Sequence, residues 1–257
     1  MFKFIRITIL LLTLIGVAAG TWRSQNTAVQ WKYTLPVNVY PINADASPAT
    51  AAYLRGLTRD DFAPIEVFMQ EQAVRHGQDT KASIELRLGQ PINALPPATP
   101  QTHSMLNIIL WSLHMRWWAF RHGETRGSNT QVKLYLLYFD PAQHSQLAHS
   151  TALQKGLVGR VNVFATPSLA KQNNVVIAHE LLHTLGATDK YDPTTNLPLF
   201  PDGYAEPHLS PRWPQRFTEI MGGRTPLTES HAETPDSLRQ AIIGPKTAQE
   251  INWKAAP

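Results

Sequence analysis

Two histidines four residues apart, with a glutamate directly after the first, stand out in this 257-residue chain: His179, Glu180 and His183 in the run VVIAHELLHTL. On an α-helix, residues i and i+4 share a face about one turn apart, so both imidazoles can reach one tetrahedral Zn²⁺ ion. Glu180, adjacent to the first ligand, is then placed to address a water on the metal as a general base. Two ligands do not hold a catalytic zinc, and the chain continues to Gly186 and then Asp189. Glycine can take a positive φ that turns the chain sharply at the helix end, which would send Asp189 back as a third, oxygen ligand and leave the fourth position to water.

These residues need a helix to carry them and a frame to hold it. Asn174 is a suitable N-cap, so the spacing predicts a helix over Val175–Leu185 ended by Gly186. Upstream, residues 33–42 (YTLPVNVYPI) predict an edge or first strand, and residues 47–76 a helical stretch ended by Gly77. Strands are predicted at 82–88, 132–139 and 158–166, with a stiff connection at Pro91, Pro96, Pro97 and Pro100. Residues 105–120 (MLNIILWSLHMRWWAF) are apolar nearly all round. Their plainer reading is a buried helix lying across the sheet; the sharper one is a patch that rests on a membrane through Arg116, Trp117, Trp118 and Arg121. A last helix is predicted from Thr247, which has capping-box spacing to Glu250.

The segment HELLHTLGATDKY resembles the metzincin metallopeptidases, in the snapalysin-like branch whose third ligand is aspartate. These enzymes keep a methionine in a tight turn under the zinc, and Met221 in EIMGG lies 32 residues after Asp189. The resemblance implies an α+β, zincin-like twisted mixed sheet with an active-site helix and a Met-turn in a mostly irregular C-terminal part. It also implies a zinc-dependent endopeptidase in which Glu180 activates water on the zinc held by His179, His183 and Asp189. Met221 would be a structural support and not a ligand. Some relatives have a tyrosine two residues after the turn methionine, where this chain has Gly223; Tyr191 is then the family-consistent oxyanion donor, and the plain alternative is that zinc alone polarises the carbonyl. Glu206 and His208, in the proline-rich segment 192–220, are alternative third ligands. The strand at 158–166 occupies the place of the related enzymes' edge strand, which binds extended peptide. The alternative function is a membrane-anchored, noncatalytic zinc-binding module on the same scaffold.

Composition narrows the rest. The absence of cysteine excludes disulfides, thiolate zinc sites and a cysteine nucleophile, so a metal site must be built from His, Asp and Glu. The balance of 23 basic to 19 acidic residues has no dense basic run, and nucleic acid is not an expected partner; a peptide or protein substrate is. Lys3 and Arg6 precede an apolar run from Ile7 to Gly20, followed by Trp22. Residues 1–24 therefore read as a signal peptide or a retained membrane anchor, with contact to lipid through residues 4–22 and an extracytoplasmic location, periplasmic or secreted. Residues 31–257 read as one catalytic domain, and the sequence fixes no oligomeric state.

Overall fold

The computed structural model describes residues 2–78, 83–100, 104–123 and 131–253. The chain is mixed α+β around a five-stranded, mostly parallel sheet. In chain order the elements that build it are α1 (Phe2–Ala28), β1 (Leu35–Asn43), α2 (Pro48–Arg55), α3 (Ala63–Arg75), β2 (Ile84–Leu88), α4 (Met105–His122), β3 (Val132–Phe139), β4 (Thr151–Leu153), β5 (Val158–Phe164) and α5 (Ala170–Leu185). The strand order is β2-β1-β3-β5-β4, and β4 alone runs antiparallel, on the edge beside β5. Among the described residues no helix is long and apolar enough to cross a membrane.

The strands follow from their residues. Val132 to Phe139 is almost continuously apolar and buried on both faces, the pattern of a strand inside a parallel sheet. One face of the sheet packs Val37, Leu134, Leu136 and Val161 against Ile65, Phe68 and Met69 of α3 and Ile177, Ala178 and Leu181 of α5. The opposite face packs Tyr40, Tyr135 and Leu137 against Trp111, Met115, Trp118 and Ala119 of α4.

Several expectations need correction. The strand with two prolines is the first strand of the chain but not an edge strand, since β1 lies between β2 and β3. Its prolines sit where one neighbour is missing: pairing with β3 begins at Val37, after Pro36, and pairing with β2 ends at Val39, before Pro41. Neither missing N–H therefore interrupts a two-sided ladder. The helical stretch of 47–76 divides at a 3₁₀ turn, Arg59–Phe62, because Asp61 caps Thr58 and Pro64 starts a new helix. Ala82, the predicted start of β2, lies outside the described residues. The edge is β4, not β5; its three residues are too short to show alternation. Helix α4 is buried on one face only.

Beyond α5 the chain is mostly turns. The two-residue strands β6 (Thr218–Glu219), β7 (Thr225–Pro226), β8 (Ala232–Glu233) and β9 (Ala241–Ile242) pair as β6 with β9 and β7 with β8, before the short α6 (Pro245–Glu250). Helix α6 begins two residues before Thr247, and neither predicted capping residue caps it. Thr247 donates its hydroxyl to Glu219, and Glu250 binds Lys190 and Thr188.

Candidate metal centre

Helix α5 carries the histidines, but it starts at Ala170 and not at Asn174. The Asn174 carboxamide donates to the Asp61 carbonyl at 2.8 Å, and Asn173 bonds both the N–H and the carbonyl of Phe164, so tertiary partners replace capping. At the other end Gly186 adopts φ 110°, as its type allows, and reverses the chain. That reversal brings Asp189 back to the helix.

The resulting geometry is close to an equilateral triangle. His179 Nε2 and His183 Nε2 lie 3.1 Å apart, and each lies 3.1 Å from Asp189 Oδ1. The other ring nitrogens define the protonation. His179 Nδ1 lies 2.8 Å from the Ile220 carbonyl oxygen, and His183 Nδ1 lies 2.8 Å from that of Ala187. Carbonyls only accept, so each Nδ1 carries a hydrogen, and in the neutral rings both Nε2 lone pairs point into the triangle. Two lone pairs and a carboxylate oxygen repel unless a cation or a shared proton joins them. The residues therefore fit a metal ion, and His179, Glu180 and His183 together offer ligand atoms within 4.8 Å of one another.

The electrostatics agree with that reading. Without a metal, burial opposes charge on His179, but Asp189, Glu180 and the Ile220 carbonyl outweigh it and raise its pKa. Burial pushes Asp189 up, yet both imidazoles hold it well below the usual carboxylate range. Glu180 is 5% exposed, and its Oε2 is buried with no hydrogen-bond partner. Burial raises its pKa against the pull of His179 and His183. A carboxylate without a partner beside a ligand triangle is poised to accept a proton.

Tyr191 stands at the rim, its ring centroid 6.4 Å from that of His179. Burial, Asp189 and Glu180 push its pKa up to about 12, so it remains a donor. Met221 is fully buried in the 3₁₀ turn Ile220–Gly222. This turn requires its glycines: Gly223 has φ 73°, and a Cβ on Gly222 would lie 2.4 Å from the Gly203 carbonyl oxygen. Glu206 and His208 do not join the centre; Glu206 is held by the backbone N–H and guanidinium of Arg216.

A cavity of about 200 Å³ opens beside the triangle, lined by His149, Ser150, Val176, Tyr191, Arg224 and Thr234 as well as His179 and Glu180. A larger one of about 610 Å³, between α3, the first turns of α5 and Ser237–Arg239, contains none of the histidines. His179 and the unpartnered carboxylate of Glu180 line the smaller one.

Sequence reasoning missed the residues that brace the centre. Glu219 is fully buried and accepts from Gly222 N (2.9 Å), Gly244 N (3.0 Å) and the Thr247 hydroxyl (2.6 Å), tying the turn to α6. Lys190 donates its backbone N–H to Met221 and its ammonium to Glu250 at 2.8 Å. An acid three residues before a glycine-rich turn was the available signal for Glu219; nothing local marks the pairing of Lys190 with Glu250. No model of a known protein family matches the chain, and a search of curated proteins finds no match either.

Proposed function

We propose that the protein is a zinc-dependent endopeptidase of metzincin type, with His179, His183 and Asp189 as ligands. The observation that carries this is the 3.1 Å triangle with the unpartnered Glu180 oxygen beside it. Tetrahedral bonds of about 2.0–2.1 Å set neighbouring ligand atoms roughly 3.3 Å apart, close to the spacing found here. When bound, zinc supplies Lewis acidity, polarising a peptide carbonyl and making water acidic enough to lose a proton near neutral pH.

The chain's own residues do the rest. Glu180 takes the proton of the attacking water and delivers it to the leaving amine nitrogen. Tyr191, kept protonated, donates its O–H to the oxygen on which charge develops. The antiparallel edge strand β4, which follows Ser150 at the cleft wall, offers free backbone groups to an extended peptide or protein substrate. A mostly parallel sheet with one antiparallel edge, a ligand-bearing helix and a buried methionine turn supports the zincin-like reading of the fold. Lys3 and Arg6 ahead of the apolar run support action outside the cytoplasm, with residues 1–24 as signal or anchor.

The test is metal analysis and mixed-peptide cleavage on the wild type and Glu180→Gln. About one zinc per chain in both proteins, with cleavage by the wild type alone, is the expected result. A folded, metal-free wild type overturns the reading. Zinc in both with cleavage by neither favours the noncatalytic module.

A further inference from the structure

Helix α4 turns one face to the sheet and the other to solvent, and both faces are apolar. Leu106 (63% exposed), Leu110 (56%), Leu113 (56%), Trp117 (60%) and Phe120 (66%) recur at spacings of three and four and form one outer stripe, with Met105 and Ile109 beside it. Their combined area exceeds the few hundred Å² of contiguous apolar surface that a soluble monomer usually exposes. No carboxylate occurs anywhere in Met105–His122.

Three cations belong to the same layer. Arg116 is on α4, and Lys133 and Arg160 are on β3 and β5 at positions that alternate with core residues of the opposite face, so they share the α4 side of the sheet. Among the described residues none of the three has an ion-pair partner, and the Nε atoms of Arg116 and Arg160 are buried without a hydrogen-bond acceptor. Burial lowers the pKa of each, and among the described residues no carboxylate opposes it. Half-buried cations without anions are costly, and they are stabilised by an anion that arrives from outside. The site also adjoins the N-terminal helix. α1 packs on the turn Gln154–Gly156, and Arg116 lies against the same turn, its Nε 3.3 Å from where a Cβ of Gly156 would be.

We propose that α4 docks the domain on an anionic lipid bilayer, its outer stripe lying in the acyl boundary and Arg116, Lys133 and Arg160 meeting lipid phosphates. The arrangement fits lipid because the stripe is a convex helix surface of aliphatic and aromatic side chains, where a protein partner would be read through a polar rim. The positive layer supplies the charge complementarity. This inference is independent of the metal centre.

The chain has no cysteine, so one introduced cysteine can be labelled alone. Full-length Leu113→Cys, Phe120→Cys and, as an aqueous control, Leu199→Cys would carry a nitroxide in vesicles of phosphatidylcholine with or without one-quarter phosphatidylglycerol. The expected result is a several-fold rise in the oxygen-to-nickel accessibility ratio at positions 113 and 120 on the anionic vesicles only, with position 199 unchanged. Labels that stay aqueous on both vesicles overturn the proposal. So does equal immersion on neutral vesicles, or shielding from both reagents, which would mean that a second copy or another protein covers the face.

Discussion

His179 Nδ1 donates to the carbonyl oxygen of Ile220 across 2.8 Å, joining the helix that carries the centre to the turn that carries Met221. The bond fixes the ring's orientation and frees Nε2. Anything that displaces the turn therefore acts on the centre without touching a ligand. Gly222→Ala introduces a Cβ at 2.4 Å from the backbone oxygen of Gly203, a contact that the turn must yield to. Metal affinity should fall about 10–100-fold, the usual cost of a lost outer partner. Chelator competition checks this; unchanged affinity in a folded variant would show that the turn does not govern His179.

Asp189 is the corner of the triangle that only the Gly186 reversal supplies. Asp189→Ala leaves two imidazoles, and it should lower metal affinity by more than about 100-fold while the far-UV circular dichroism is kept. Removing the metal from the wild type should also lower the melting temperature, because a ligand that binds only the folded state stabilises it by mass action. The two effects are coupled: chelator should shift the variant's melting temperature far less than the wild type's.

Glu219 gives a stability prediction outside the His179–His183–Asp189 triangle. Its three accepted hydrogen bonds close the turn on α6, and burial raises its pKa against the pull of Thr247, the Gly244 amide and Lys190. Glu219→Ala leaves two buried amides and a hydroxyl without acceptors. The expected loss is about 3 kcal/mol in urea unfolding of the metal-free protein. A loss well under 1 kcal/mol would mean that water replaces the carboxylate.

The arrangement of the candidate site was legible where short-range chemistry decides geometry. The four-residue spacing of His179 and His183 and the positive φ of Gly186 are consequences of helix period and of a missing Cβ, and both can be read from the chain. The long apolar strand β3 was legible for the same reason, since burial on both faces leaves a continuous run. What failed depended on distant partners. Asn174 has the side chain of a cap, but the Asp61 carbonyl, 113 residues away, claims it. Thr247 and Glu250 have capping spacing, yet Glu219 and Lys190 hold them. The apolar run at 105–120 was legible, but with its outward face as apolar as its inward one the pattern did not show which face is buried.

Asp45 supplies a pH prediction remote from the centre. It joins the ends of β1 and β3: Oδ2 accepts from Asp140 N at 2.6 Å and from the Thr50 hydroxyl at 3.2 Å, and Oδ1 from Ser47 N at 2.9 Å. Burial pushes its pKa up, but the backbone bonds from Asp140 and Ser47 prevail and hold it below the ordinary 3.8. A carboxyl with a depressed folded pKa binds fewer protons in the folded state than in the unfolded one. Its contribution is therefore complete above the ordinary value and is lost as pH falls through the folded one. Asp45→Asn should be destabilised by about 1–2 kcal/mol at pH 7, and its deficit against the wild type should shrink as pH falls below about 4. Urea midpoints for both proteins across that range check the sign; a deficit that grows in acid would show that the bonds to Asp45 favour its protonated form.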